Sequence, residues 1–156
     1  MATIVPYSDT AHRPQVVALW RDVFGYDAPR NSPSLAIDKK MAVKDGLLFV
    51  AMEGNAVVGT AMAGYDGHRG WLYSMAVLPA YRRKGLGAEL VAHAEKALCE
   101  LGCMKVNLQL LASNESTAAF YKRLGYTIEP RVSMGKAFPQ NVPIQGTGHV
   151  EHQWKI

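Results

Sequence analysis

One run of the sequence, Leu72–Gly87, constrains the fold more than any other because it joins a strand, a basic loop and a helix. Leu72–Leu78 is apolar and predicts a strand, and an amphipathic helical pattern begins at Leu86. Between them lie three basic residues followed by Gly85, and Gly87 comes two positions later. A helix that starts directly after such a loop has unpaired N–H groups aimed at one spot. This combination predicts an anion site that suits a diphosphate.

The order of residues in this loop excludes two common classes of phosphate-binding protein. A Walker A loop places its lysine after the second glycine, whereas Lys84 precedes both glycines here. A dinucleotide-binding loop has three glycines as G-x-G-x-x-G near the start of a βαβ unit, and this loop has two. A nucleoside triphosphatase and a Rossmann-type enzyme are therefore both disfavoured.

Two separate motifs instead carry a family resemblance. Arg82-x-x-Gly85-x-Gly87 resembles the [QR]-x-x-G-x-[GA] signature of the GCN5-related N-acetyltransferases, the GNAT family. Some thirty residues later, Ala112–Tyr126 resembles the family's S-N-x-x-A-x-x-x-Y-x-x-L-G-[FY] segment. The two motifs occur in the family's order, so chance agreement is improbable.

Further segments extend the resemblance over roughly residues 3 to 137. Met75–Pro79 resembles the family's fourth strand. Within the family, Gly59–Gly70 and Ile37–Met41 are most similar to the bacterial YpeA-like acetyltransferases. The resemblance implies one domain over residues 1–156, with an α+β fold of three layers (α/β/α). Its mixed, mainly antiparallel sheet of six to seven strands would splay between the fourth and fifth strands to admit a thioester.

The chain itself predicts an alternation of elements that agrees with this fold. Helices are expected behind Pro14, from Ser32–Pro33 to Gly46, from Leu86 to Leu101, and from Ser113 or Asn114 to Gly125, with a loop over 25–31. Strands are expected at Ile4–Tyr7, Leu47–Glu53, Ala56–Tyr65, Gly70–Val77, Lys105–Leu110, Thr127–Lys136 and Val150–Ile156, with an irregular loop containing Pro139, Pro143, Gly146 and Gly148 before the last.

The resemblance also implies acetyl-CoA as the acyl donor and assigns roles to particular residues. The pyrophosphate would be held by Arg82, Arg83, Lys84, Gly85, Leu86, Gly87 and Ala88, and the thioester carbonyl would be polarised by the backbone of Met75, Ala76 and Val77. Asn114 would contact the coenzyme A arm and also suits a helix cap. Tyr121 matches the tyrosine that family members direct at the coenzyme A sulfur, and a phenol is a suitable acid for a departing thiolate.

The general base remains open at this stage. Several family members carry a glutamate on the fifth strand, and the matching residue here is Gln109, which accepts no proton at neutral pH. Tyr73, Asp66, His68 and Glu129 are substitutes to consider, although Asp66 and His68 also suit a turn. Alternatively, water could relay the proton from an amine that is already weakly basic.

Composition and charge bear on which ligands, metal sites and compartment fit the chain. The net charge is +4, but no basic stripe with interleaved aromatic residues is present, so coenzyme A is favoured over nucleic acid. Cys99 and Cys103 lack further ligands for a metal site and are expected as small buried residues rather than a disulfide. No signal pattern or membrane-length apolar run is seen, so we expect a cytoplasmic protein without a membrane partner. By analogy with such folds, a homodimer through the C-terminal strand is plausible.

Three functions remain compatible with the sequence. The first is an N-acetyltransferase that acetylates a primary amine of a small molecule by direct attack in a ternary complex. The second is an acetyltransferase for protein N-termini or lysines. The third is a non-catalytic acetyl-CoA sensor, for which Gln109 is the only hint and against which Tyr121 argues. An acidic rim for a strongly cationic acceptor would rest on Asp22, Asp27 and Asp38 alone, which disfavours polyamines and aminoglycosides.

Overall fold

The computed structural model describes residues 1–25 and 32–138 of the chain. Its strands are β1 (Thr3–Pro6), β2 (Leu48–Glu53), β3 (Ala56–Tyr65), β4 (Gly70–Val77) and β5 (Val106–Asn107). Its helices are α1 (Asp9–Phe24), α2 (Pro33–Val43), α3 (Leu86–Glu100) and α4 (Glu115–Arg123), with a short 3₁₀ turn at Pro79–Tyr81.

The strands form one mixed sheet in the order β1-β2-β3-β4-β5. The first four strands are antiparallel neighbours, and β5 lies parallel to β4. This pairing covers only Gly70 with Val106 and Trp71 with Asn107, after which the two strands no longer pair. The expected splay between the fourth and fifth strands is therefore confirmed.

Alternating side chains of the strands separate two apolar cores. On β2, Phe49 and Ala51 pack with α3, whereas Leu48 and Val50 pack with α1 and α2. Period-two alternation places successive residues on opposite faces, so a strand with both faces apolar is covered on both sides. The three-layer α/β/α arrangement and the α+β fold class are confirmed.

Helix α3 shows how the sequence pattern produces this packing. Its buried residues are Leu86, Leu90, Val91, Ala94 and Leu98, which recur at the three- and four-residue spacing of one helical face. Leu101 was expected on the same face but is 53% exposed, because the helix has ended at Glu100. Gly70 lets α3 approach the sheet closely, since a Cβ there would lie 2.9 Å from Leu98 Cδ1.

Several boundaries differ from the sequence expectations. Helix α2 begins at Pro33 as expected but ends at Val43 rather than Gly46, with Lys44 in the left-handed conformation. The fifth strand is confined to Val106–Asn107 instead of Lys105–Leu110.

The strand count also needs correction. The expected strand at Thr127–Lys136 is absent, so the sheet has five strands over the described residues rather than six or seven. The remaining expectations concern residues that lie outside the described ranges. They are the loop at 26–31 with the acidic residue Asp27, the irregular loop that contains Pro139, and the strand at Val150–Ile156. The suggested dimer through the C-terminal strand also lies outside the described ranges.

Candidate active site

The loop between β4 and α3 is folded back against the end of the strand. The turn Pro79–Tyr81 follows β4 directly, and Arg82 N–H donates to the Pro79 carbonyl at 3.3 Å. The Arg82 side chain turns back as well, and its Nε donates to the Val77 carbonyl at 2.9 Å. Arg82 therefore braces the loop on the strand, a role that the sequence did not specify.

The start of α3 presents backbone N–H groups without partners. Arg83 and Gly85 have positive φ angles of 61° and 86°, and this turns the backbone into the helix. The first amide of the helix to donate a backbone hydrogen bond is that of Glu89, which donates to the Gly85 carbonyl at 3.1 Å. Within the described residues, the amides of Leu86–Ala88 have no acceptor, as expected for the first turn of a helix. The helix dipole and these donors favour an anion at this position.

Basic side chains add charge to the same loop. Arg83 and Lys84 are exposed, and the Lys84 Nζ lies 5.7 Å from the centre of the Tyr81 ring in a cation–π contact. The predicted pyrophosphate residues Arg82–Ala88 lie together at one helix start, and the side chain of Arg82 bonds to the strand behind them.

Helix α4 packs against this helix start. A Cβ added to Gly87 would lie 3.2 Å from Phe120 Cζ, so glycine permits the close approach of the two helices. Asn114 caps α4, and its side chain accepts from the Thr117 N–H at 3.3 Å. The capping role of Asn114 is confirmed, and its contact with coenzyme A stays a prediction.

Tyr121 follows Phe120 and is the most enclosed polar side chain of α4. It is 2% exposed, and its hydroxyl has no hydrogen-bond partner within the described residues. Burial raises the pKa of Tyr121 well above that of a free phenol, because the phenolate would lose its hydration. The hydroxyl therefore keeps its proton at neutral pH and can donate a hydrogen bond to a departing thiolate.

The Tyr121 ring is fixed by two edge-to-face contacts. Its centre lies 5.0 Å from the Phe120 ring and 5.4 Å from the Tyr126 ring. The Tyr126 hydroxyl in turn donates to Glu95 Oε2 on α3 at 2.7 Å. These contacts tie the end of α4 to α3 and limit the orientations that Tyr121 adopts.

The middle of β4 departs from regular pairing. Thr60 pairs with Ala76 and Met62 pairs with Tyr73, so β4 carries one more residue than β3 across this interval. Ser74, inside this bulge, has a φ of 45°, which is unusual for a residue with a side chain.

The bulge lies where one edge of β4 has no neighbouring strand among the described residues. Pairing with β5 ends at Trp71, and the Val77 carbonyl bonds to the Arg82 side chain instead of to another strand. A bulge re-aims backbone groups, and an open edge leaves them accessible to a ligand. The predicted backbone donors Met75, Ala76 and Val77 lie at this bulge and on this edge.

Most of the suggested bases are engaged elsewhere. Asp66 accepts from the backbone N–H groups of Arg69 at 2.7 Å and His68 at 2.8 Å, which lowers its pKa. Glu129 bonds to the Lys105 ammonium and to Asn107 Nδ2, and these hydrogen bonds lower its pKa. A carboxylate with a lowered pKa is a weaker base, so both residues fit structural roles better.

Tyr73 is a third suggested base, and Gln109 is the residue at the position of the family's glutamate. Burial, with a smaller effect of Asp66, raises the pKa of Tyr73 to about 12, so at neutral pH it holds its proton. Gln109 donates from its side-chain amide to Ser133 Oγ, which links the fifth-strand segment to the segment that follows α4. Of the four suggested bases, His68 is left as the candidate, because Asp66 and Glu129 have lowered pKa values and Tyr73 holds its proton.

The two cysteines differ from each other in exposure. Cys103 is buried as expected, and its Sγ donates to the Lys105 carbonyl, but Cys99 is exposed. Within residues 1–25 and 32–138, no cluster of His, Cys, Asp or Glu could hold a metal ion. None of the helices in those ranges has the length and apolar character needed to cross a membrane.

The sequence did not predict a buried network of hydrogen bonds that joins three residues. Trp20, Thr60 and Ser74 are all fully buried and are joined by hydrogen bonds between α1, β3 and β4. The available signal was the presence of Thr60 and Ser74 inside otherwise apolar strands, because a polar side chain at a buried strand position needs a partner.

The sequence is similar to a family of known proteins. The model of the acetyltransferase (GNAT) family matches residues 13–126. A curated relative, acetyltransferase YE1169 of Yersinia enterocolitica, is 34% identical over 124 residues, which cover 78% of this chain and 86% of the relative.

Solved structures support the same fold at lower identity. AAC(6')-Iy in complex with a bisubstrate analogue superposes with a TM-score of 0.71 at 19% identity, covering 89% of this chain and 99% of that one. Glucosamine-6-phosphate N-acetyltransferase from Arabidopsis thaliana gives 0.67 at 18% identity, again covering 89% and 99%. From the family match, the curated relative and the fold together, this chain belongs to the GNAT family and is an N-acetyltransferase.

Proposed function

We propose that this protein transfers the acetyl group of acetyl-CoA to a primary amine of a small molecule, by direct attack in a ternary complex, and that residues 1–156 form one acetyltransferase domain. The observation that carries the proposal is the start of α3. Amides without acceptors within the described residues lie beside Arg83 and Lys84, and Gly87 brings them against the helix that carries Tyr121.

Binding of the donor follows from this arrangement. The amides of Leu86–Ala88 would bond to the pyrophosphate oxygens, and the exposed cations at Arg83 and Lys84 would neutralise their charge. The open edge of β4 would take the pantetheine arm, since in residues 1–25 and 32–138 its backbone groups have no partner strand beyond Trp71. Asn114 lies at the start of α4 and would contact the same arm in addition to capping the helix.

The transfer step then needs three proton movements. The amine nitrogen attacks the thioester carbonyl carbon, and the backbone N–H groups at the β4 bulge would stabilise the negative oxygen that forms. The carbon–sulfur bond then breaks, and the thiolate takes the proton of the Tyr121 hydroxyl. The nitrogen releases its proton to water or to His68, and solvent returns a proton to Tyr121. The products are the N-acetylated amine and coenzyme A.

A small acceptor is the class to test first. Two solved structures with this fold are named for such acceptors, one with a bisubstrate analogue of acetylneamine and one for glucosamine 6-phosphate. These names support the substrate class only through the shared fold.

The test is the release of free coenzyme A from acetyl-CoA across a panel of small amines, amino acids and peptides with free N-termini or lysines. We expect turnover with a small amine. Turnover with peptides alone would replace the acceptor class in this proposal by a protein amine. Tight acetyl-CoA binding without turnover on the panel would favour a sensor and overturn the catalytic part of the proposal.

A further inference from the structure

A chain of two buried hydrogen bonds links α1 to the middle of β4. The indole Nε1–H of Trp20 donates to Thr60 Oγ1 at 2.9 Å. The Thr60 hydroxyl donates in turn to the Ser74 carbonyl at 2.8 Å. All three residues are fully buried, so water does not compete with either bond.

The second bond ends at the point where β4 leaves regular pairing. Ser74 lies inside the bulge between the Thr60–Ala76 and Met62–Tyr73 pairs. Its positive φ of 45° costs on the order of 1–3 kcal/mol for a residue with a side chain. Such a conformation persists only where neighbouring groups hold it.

The Ser74 side chain does not supply that support. Its hydroxyl is buried without a hydrogen-bond partner among the described residues. The carbonyl of the same residue does have a partner, which is the Thr60 hydroxyl. Thr60 is also the β3 residue paired with Ala76, so it contacts the strand at the bulge and at the first regular pair beyond it.

We propose that Thr60, held by Trp20, is a positioning residue for acyl transfer. It fixes the peptide plane after Ser74 and with it the direction of the Met75 N–H, because the Ser74 carbonyl and the Met75 N–H belong to one planar peptide unit. The inference rests on the proposed function, in which backbone groups at the bulge polarise the thioester. It also couples α1 to the acyl site through the Trp20 side chain.

Three variants separate this role from ordinary core packing. Thr60→Val has nearly the same shape and lacks the hydroxyl, whereas Thr60→Ser keeps the hydroxyl and loses a methyl group. Trp20→Phe removes the indole donor. Val16→Ala is the matched control, since Val16 is a fully buried residue of α1 in the same core and its side chain cannot take part in the hydrogen bonds of Trp20, Thr60 and Ser74.

The measurements are kcat and KM for acetyl-CoA, the affinity for coenzyme A without the acetyl group, and amide hydrogen exchange of the segment 74–76. We expect Thr60→Val to lower kcat by up to about 100-fold, the loss that follows when a catalytic group is misplaced by about 1 Å. Coenzyme A affinity should fall much less than kcat, because the amides of Leu86–Ala88 that would hold the pyrophosphate are not part of the bulge. Thr60→Ser should restore most of kcat, and Trp20→Phe should lie between the two.

Hydrogen exchange keeps the test valid in the absence of turnover. We expect faster exchange at 74–76 in Thr60→Val and Trp20→Phe than in Val16→Ala. If the wild-type protein turns over and Thr60→Val matches Val16→Ala in kcat, the positioning role is refuted while the proposed function stands. If the wild type does not turn over, the proposed function fails, and unchanged exchange in Thr60→Val would refute the support of the bulge separately.

Discussion

Replacing Tyr121 by Phe should change stability and activity in opposite directions. The hydroxyl is buried without a partner in the described structure, and an unsatisfied buried polar group costs about 1–3 kcal/mol. Its removal should therefore raise the free energy of unfolding by about 1 kcal/mol, which corresponds to a rise in Tm of about 2–4 °C for a protein of this size. Loss of the acid should lower kcat by about 100- to 10,000-fold.

Tyr126→Phe is the matched control because it removes a hydroxyl of the same kind that does have a partner. The Tyr126 hydroxyl donates to Glu95, so its removal leaves a carboxylate oxygen without that donor and should lower Tm by about 2–4 °C. The ring remains, so its contact with Tyr121 persists and turnover should stay close to that of the wild type.

The assay combines thermal unfolding, followed by circular dichroism, with release of coenzyme A under saturating substrates. Wild-type turnover in Tyr121→Phe would refute the assignment of Tyr121 as the acid. A drop in Tm in Tyr121→Phe, equal to that in Tyr126→Phe, would show that the Tyr121 hydroxyl is satisfied in the free protein. Either result would contradict the reasoning from its burial.

Three further predictions follow from particular contacts. Gly70→Ala places a Cβ 2.8 Å from Cys103 Sγ and should cost about 1–3 kcal/mol of unfolding free energy in a denaturant titration, with partial recovery in Gly70→Ala combined with Cys103→Ala. Ser74→Ala removes an unpartnered buried hydroxyl at unchanged φ and should raise Tm rather than lower it. The pKa of Glu129 is lowered by its hydrogen bond to Lys105, so this ion pair stabilises the fold above the unfolded pKa of a glutamate and is lost as pH falls through the folded value. The protection of amides near Glu129, measured as the exchange rate relative to the intrinsic rate at each pH, should therefore fall in acid, and an unchanged protection factor would contradict this.

The sequence predicted the elements whose pattern is strong and local. The apolar spacing along α3 predicted its buried face, and Pro33 marked the start of α2. The three long strands β2, β3 and β4 were predicted within about a residue of their observed bounds, because each is a mainly apolar run bounded by turn residues.

The strand that was predicted at residues 127–136 is absent for a physical reason. The segment 127–136 has β-branched and apolar residues typical of a strand, but Ile128, Val132 and Met134 are exposed and pair with no strand in the described structure. Strand propensity reflects the neighbours that a residue packs against, and these are not encoded in the segment itself.

The site was predicted in part. The loop from Arg83 to Ala88 follows from local sequence, since glycines and cations before a helix indicate an anion site by themselves. The bulge at Ser74 and its bond from Thr60 depend on pairing across the sheet, and no local residue pattern specifies that register.

The central claim is that the start of α3 binds the pyrophosphate of acetyl-CoA. The most direct test is a calorimetric titration of the wild-type protein with acetyl-CoA and with acetyl-pantetheine, which carries the same thioester but no pyrophosphate. Two charge-assisted hydrogen bonds at about 1.5 kcal/mol each predict that acetyl-CoA binds about 100-fold more tightly or better. Equal affinity for the two ligands would show that the loop does not hold the pyrophosphate and would contradict the account.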